Sequence, residues 1–191
     1  RAAHGLRAYD RRNAYLARAA ELAPQPDMPR VVTEAELLLD ERRAQDALNA
    51  LQTLGERHTA ALRLELRAQQ QLKHWEAVLQ LIGQLEKRGV FEAEQAQRMR
   101  LHAQSENLKR RALDSRALEE CWQKIPAVEK RDGRIAAVAA QCFIALGGCA
   151  QAHQIIEQSI EQAWDSDLVG LYAECEGGDV VRRIERAEGW L

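Results

Sequence analysis

The chain of 191 residues is poor in the residue types that build β-sheets. Aromatic residues make up 5% of it, whereas Ala, Leu, Arg, Glu and Gln, which all favour helices, are abundant. Only four prolines are present to interrupt helical segments. With 46% hydrophobic and 29% charged residues, the chain can bury a core, which argues against disorder. The composition therefore predicts an all-α protein.

Long apolar runs and an excess of positive charge are lacking as well. No stretch reaches the roughly 18 apolar residues that span a bilayer, and no signal peptide is recognisable. The net charge of −2 gives no reason to expect nucleic acid as a partner. The sequence begins at Arg1 and stops in mid-pattern at Leu191. We therefore expect a soluble piece of a longer protein.

Motifs that mark common catalytic and metal sites are missing. Gly147-Gly148 and Gly177-Gly178 lack the spaced glycines of a phosphate loop, and neither His-Glu-x-x-His nor Cys-x-x-Cys occurs. The five histidines are scattered, and the four tryptophans are expected to be packing anchors. The cysteines match no metal or haem spacing, so we interpret them as small core residues and infer no oxidising compartment; they are Cys121, Cys142, Cys149 and Cys175. We expect no enzyme and no cofactor.

Apolar residues recur at helical spacing, and short breaks separate the helical segments. Thr59 is expected to cap a helix, and Gly55 and Gly89 are expected to end helices, Gly55 in the left-handed conformation. Asp114 or Ser115, Asp165 or Ser166, and Asp179 are the other predicted caps. The predicted helices are a short one around residues 6–9, one ending near 22, and then 29–39, 44–54, 59–72, 75–85, 91–112, 115–125, 132–146, 149–163, 168–175 and one from 180 onward.

The elbows between these helices carry a degraded repeat. An alanine follows the elbow at Ala14, Ala47, Ala77 and Ala152, and the first three are 33 and 30 residues apart, close to a tetratricopeptide unit. A small side chain at this point lets two antiparallel helices cross closely. We therefore predict a right-handed superhelical solenoid of antiparallel helix hairpins, tetratricopeptide-like, forming a single domain over residues 1–191.

The first helix of each hairpin in such a solenoid usually lines a concave wall. The residues predicted to lie on that wall, and to bind a partner there, are Glu36, Asp40, Thr59, Gln69, Arg134 and Gln141. The alternative for each of them is an ordinary solvated polar residue.

The C-terminal half carries a more specific succession of residues. Cys121-Trp122-Gln123-Lys124-Ile125-Pro126 precedes a long apolar helix that ends in Ala145-Leu146-Gly147-Gly148, followed by Ala163-Trp164-Asp165 and Ala187-Glu188-Gly189-Trp190-Leu191. Together with Leu16-Ala17-Arg18-Ala19-Ala20, this succession resembles the HemY family of protoheme IX biogenesis proteins. The resemblance implies an N-terminal membrane anchor before the repeats and a role in haem or porphyrin metabolism. It implies no catalytic residues.

Two functions follow as hypotheses. The first is a non-catalytic scaffold that binds a protein or peptide, such as the haem-biosynthesis enzymes, at the bacterial inner membrane. The second is a direct haem or porphyrin carrier with a His or Cys as axial ligand; an enzyme acting on porphyrins has no support from individual residues. The missing N-terminal anchor would be the one membrane contact, with the domain itself expected on the cytoplasmic side. The oligomeric state stays open.

Overall fold

The computed structural model describes residues 9–22, 27–55, 58–175 and 180–190, and over these ranges the chain is all-helical, as the composition predicts. Twelve helices lie within the described residues. In chain order they are α1 (Tyr9–Leu22), α2 (Met28–Asp40), α3 (Ala44–Gln52), α4 (Thr59–Gln71), α5 (Trp75–Lys87), α6 (Ala93–Arg111), α7 (Ser115–Lys124), α8 (Ala127–Lys130), α9 (Gly133–Ala145), α10 (Cys149–Ile160), α11 (Ser166–Glu174) and α12 (Val180–Glu188).

The chain divides into two compact units, unit 1 up to Met99 and unit 2 from Arg100 onward. In unit 1, α2 and α3 form one antiparallel hairpin, α4 and α5 form the next, and α4 packs against both α2 and α3. Unit 2 repeats this arrangement, because α9 and α10 form a hairpin and α11 packs against both. Each unit has its own buried apolar cluster, around Leu39 and Leu48 in unit 1 and around Phe143 and Ile156 in unit 2.

Four elbows share one backbone geometry. The second residue after the helix is left-handed at each of them, with φ of 60° at Arg42, 58° at Lys73, 66° at Gly89 and 74° at Gly147. The amide of the following residue then donates to a carbonyl five residues earlier, as Arg43 does to Leu38 at 2.9 Å and Gly148 does to Phe143 at 2.8 Å. This is the Schellman ending, which satisfies two carbonyls that the helix leaves open.

Most helix boundaries lie within three residues of those predicted, and Asp114, Asp132 and Asp165 cap α7, α9 and α11 through their carboxylates. Three local predictions were wrong. Gly55 is not left-handed, since α3 already ends at Gln52. His58 rather than Thr59 occupies the N-cap of α4, and α8 was missed because it is a single turn after Pro126. The predicted helix around residues 6–9 and the Asp179 cap fall outside the described ranges, apart from Tyr9.

All four cysteines lie in or against the buried apolar cluster of unit 2, as expected, but a disulfide between two of them was not expected. Cys149 and Cys175 form a disulfide, whereas the buried Cys142 and the half-buried Cys121 lie outside this bridge. The antiparallel packing of α10 against α11 brings the start of the first helix to the end of the second, which sequence spacing does not reveal. The tryptophans also differ from expectation, because Trp75 and Trp122 are buried but Trp164 is exposed.

Candidate functional site

One side of the helices α2 and α4 in unit 1 carries exposed or half-buried polar residues one turn apart. We call this surface the α2–α4 face; its residues are Glu36, Asp40, Arg63, Arg67 and Gln71. The spacing of four residues between members on the same helix places them on one stripe. The apolar positions of both helices point the other way, since Ala35, Leu39, Leu62 and Leu66 are buried.

Two hydrogen bonds join the two helices across this face. Arg67 donates from Nη2 to Oδ1 of Asp40 at 2.9 Å, and Gln71 donates from Nε2 to the carbonyl of Leu39 at 3.1 Å. Both ends of the Arg67–Asp40 pair are about half exposed, so the pair orients the side chains more than it stabilises the fold. The result is a polar surface with charges of both signs at fixed positions.

The structure brings together only part of the predicted wall in unit 1. Glu36 and Asp40 lie on the α2–α4 face, whereas Thr59 is the half-buried first residue of α4. Gln69 accepts a hydrogen bond at Oε1 from Nδ1 of His74 at 2.9 Å and lines a different surface, a cleft between α3 and α4. Sequence reasoning missed Arg63, Arg67 and Gln71, although their own spacing of four residues was the signal that could have identified them.

Among the described residues of unit 1, two clefts adjoin its helices. The α3–α4 cleft has a volume of about 180 Å³ and an apolar floor; its lining is Leu48, Leu51, Gln52, Leu54, Ala61, Leu62, Glu65 and Gln69. A larger cleft of about 340 Å³ lies between α1, α2 and α3 and is charged. Its Arg12 is buried and forms an ion pair with Glu41, while Arg43 donates from Nε to Asp46 at 2.7 Å.

Arg134 and Gln141, the predicted wall residues of unit 2, are both exposed on α9. They are seven residues apart and therefore lie on one side of the helix. Arg134 donates from Nε and Nη2 to the two carboxylate oxygens of Asp132 at 3.0 and 2.9 Å. These hydrogen bonds lower the pKa of Asp132, which is also the N-cap of α9. The Arg134 guanidinium therefore holds the N-cap carboxylate of α9 in place, and it is also part of the exposed surface of this helix.

The thiols and imidazoles of the described residues are not grouped as ligands. No cluster of three or more His, Cys, Asp or Glu with the geometry of a metal site occurs among them. Burial raises the pKa of Cys142, which keeps this thiol protonated at neutral pH. The linings of the three clefts described in this structure contain neither histidine nor cysteine among the described residues.

Comparisons with protein-family models, with curated proteins and with solved structures found no match to this chain. Among the helices that the structure describes, none has both the length and the apolar content needed to cross a bilayer.

Proposed function

We propose that this chain is a non-catalytic scaffold that binds a partner protein through the α2–α4 face of a tetratricopeptide-like solenoid. In each unit a helix packs against both members of the preceding hairpin, which is how helical repeats stack. The four Schellman elbows, alike in φ and hydrogen bonding, support a repeated structural unit. Continued stacking of this kind would give a right-handed superhelix with a concave wall.

The observation that carries the proposal is the pairing of charges across the α2–α4 face. A partner segment laid over it would meet Arg63 and Arg67 from one helix and Glu36 and Asp40 from the other. Complementary charges at fixed positions give specificity and faster association rather than raw affinity. The partner segment we expect is therefore charged with both signs.

The cellular setting comes from the resemblance to the HemY family. We propose that the parent protein is anchored in the bacterial inner membrane and that its partners are enzymes of haem or porphyrin biosynthesis. The Cys149–Cys175 bridge adds a reason to place the domain on the oxidising, periplasmic side rather than the cytoplasmic side that the sequence favoured, because disulfides persist in oxidising compartments.

Charge reversal tests the proposal directly. The 191-residue chain is used as bait for membrane extracts of its source bacterium, and captured proteins are quantified by mass spectrometry. Arg63→Glu should reduce capture of a specific partner about tenfold, since it places like charge where complementary charge is expected. Lys87→Glu, an exposed reversal at the end of α5, is the matched control and should capture as the wild type does. Equal capture by both variants would exclude the α2–α4 face as the binding surface.

A haem titration separates the scaffold from the alternative carrier. The carrier predicts a saturable, stoichiometric change of the Soret absorbance that disappears when one His or Cys is replaced. The scaffold predicts only weak, non-saturable absorbance changes. A stoichiometric haem complex that depends on one such residue would overturn the proposal.

A further inference from the structure

A small cleft in unit 2 lies on surfaces that the proposed function does not use. It is formed by the end of α7, by α8 and by the second half of α10, and its volume is about 170 Å³. We call it the α8–α10 cleft; its lining is Trp122, Ala127, Lys130, Arg131, Ile155, Gln158, Ser159 and Gln162. Sites for small-molecule ligands usually measure about 300–1,000 Å³, so this cleft has room for a single side chain.

The charges of the cleft are all positive. Lys130 and Arg131 are its two ionised residues, and no carboxylate belongs to its lining. Several other cations of unit 2 have acidic partners, as Arg100 has Glu129 and Arg116 has Glu120. Within the described part of the chain, Lys130 and Arg131 have no such ion pair. The positive charge of this cleft contrasts with its surroundings, because residues 116–191 contain 8 Lys and Arg against 13 Asp and Glu.

The floor of the cleft holds one of these cations in position. The Nζ atom of Lys130 lies 5.0 Å from the centroid of the Trp122 ring, within the range of a cation–π contact. Trp122 and Ile155 are buried, so they supply an apolar floor beneath the ammonium group. At the mouth, Gln158 lies on the last turn of α10 and Gln162 lies in the turn that follows this helix; both side chains are exposed. Their amide groups can donate hydrogen bonds to an anion beside Lys130.

We propose that the α8–α10 cleft binds the carboxylate side chain of a Glu or Asp in an acidic segment of a partner protein. The aliphatic stem of that residue would contact the apolar floor, and its carboxylate would meet Lys130, Arg131 and the two glutamine amides. The proposal rests on the proposed function in one respect, namely that this chain binds a partner protein. It adds a second contact, in unit 2, with defined chemistry.

A single carboxylate suits this cleft better than a nucleic acid does. Nucleic acids are bound by extended basic surfaces that neutralise several phosphates. Here only two cations, Lys130 and Arg131, line the cleft, which is too few to neutralise several phosphates of a nucleic acid. One carboxylate on a short stem can approach the two cations while the rest of its chain stays clear.

Peptide binding to the whole chain tests the proposal. The probes are two fluorescein-labelled, C-terminally amidated peptides of equal length, one alternating Glu and Ala and the other alternating Gln and Ala. Fluorescence anisotropy should show saturable binding of the Glu peptide alone. Lys130→Gln should weaken it about tenfold, as expected for loss of a charge-assisted hydrogen bond. Lys124→Gln removes the same charge outside the cleft and should leave the affinity within about twofold.

Arg131→Gln keeps the experiment decisive if removal of Lys130 disturbs the packing on Trp122, because Arg131 is exposed. This variant should also weaken binding of the Glu peptide, and its helical circular dichroism should be unchanged. Equal binding of the two peptides, or equal losses in the Lys130 and Lys124 variants, would overturn the proposal, as would displacement by poly(dT) at matched charge.

The proposed function is tested separately, because Arg63→Glu acts on unit 1. Partner capture that survives Lys130→Gln and Arg131→Gln would refute the α8–α10 cleft as a binding site and leave the proposed function standing.

Discussion

Unit 1 and unit 2 repeat the same packing of three helices but hold it with different chemistry. Unit 1 closes two of its elbows with Arg42 and Lys73 in the left-handed conformation and pairs Arg67 with Asp40 across an exposed face. Unit 2 has Gly147 at the same point of its elbow and adds a covalent bridge between α10 and the end of α11. The two units therefore share the backbone geometry of the hairpin, whereas the groups that stabilise it differ.

The two units also differ in what they bury. Unit 2 contains a buried carboxylate, Glu129, which accepts from Nε2 of Gln104 at 3.0 Å and lies 3.3 Å from Nε of Arg100. A buried charge is tolerated only when it is paired and hydrogen-bonded, and both conditions are met here. This network ties the short helix α8 to α6 within unit 2, and it thereby positions Lys130 and Arg131 at the neighbouring cleft.

Among the changes considered, removal of the disulfide should lower the free energy of unfolding the most. Cys149 and Cys175 are separated by 26 residues, and closing a loop of that length stabilises a fold by about 3 kcal/mol. We expect the Cys149→Ser, Cys175→Ser double variant to lose about that free energy of unfolding in urea denaturation followed by circular dichroism. Cys121→Ser, at a half-buried thiol outside the bridge, should change the free energy of unfolding by less than about 1 kcal/mol. If dithiothreitol left the wild type unaffected, the bridge would not stabilise unit 2.

The helices and their caps could be predicted from sequence because the signals for them are local. Apolar spacing, Gly89, Gly147 and the capping residues Asp114 and Asp165 act within one or two turns, and the structure has them where the sequence places them. The alanine pattern was less reliable. Ala47 and Ala152 are completely buried at helix contacts, but Ala77 is half-buried and Ala14 is exposed. An alanine is a frequent helix residue anyway, so its position alone does not identify a contact.

Features that depend on contacts between helices could not be predicted. The pairing of Cys149 with Cys175, the approach of Arg67 to Asp40 and the grouping of Lys130 with Gln158 all join residues from different helices. The rotation of each helix about its axis decides which polar residues share a surface. For α4 this rotation turns Gln69 toward α3 and leaves Arg63 and Arg67 on the α2–α4 face.

Exchanging the left-handed residues at the elbows should change the free energy of unfolding by less than removal of the disulfide does. A left-handed residue with a side chain costs about 1–2 kcal/mol, partly offset by the greater freedom of glycine in the unfolded chain. We therefore expect Arg42→Gly to stabilise the chain by about 0.5–1 kcal/mol and Gly147→Arg to destabilise it by a similar amount. A Cβ atom at Gly147 would meet no atom within 4 Å, so the backbone conformation alone decides the second result.

Thermal unfolding of the two exchange variants measures both changes. Gly170→Arg is a suitable control for an added arginine side chain, because Gly170 is exposed, has open space at its Cβ and no positive φ. If Arg42→Gly destabilised the chain instead, the Arg42 side chain would contribute more to unit 1 than the strain of its backbone costs.

Acidification should weaken unit 2 through His153, and this is the smallest effect we expect. The His153 ring packs against Tyr172 at 4.4 Å between centroids, and Tyr172 in turn contacts Trp190 at 4.9 Å and donates from its hydroxyl to Glu157 at 2.9 Å. Arg183 of α12 lies over the Tyr172 ring, with its Cζ atom 5.8 Å from the ring centroid. It also donates from Nη2 to the carbonyl of Tyr172 at 3.2 Å. The histidine therefore sits where α10, α11 and α12 meet.

Burial, and next the positive charge of Arg183, lower the pKa of His153 below its ordinary value of 6.5, while Glu157 and the backbone of Tyr172 and Cys175 act in the opposite direction. The unfolded chain then binds the proton more readily than the folded chain, so stability is lost as the pH falls below about 6.5. We expect the urea midpoint of the wild type to fall more than that of His153→Gln between about pH 7.5 and about pH 5.5. His74→Gln, at an exposed elbow of unit 1, should keep the wild-type dependence. Parallel pH dependences for wild type and His153→Gln would mean that protonation of His153 does not disturb the meeting point of the three helices.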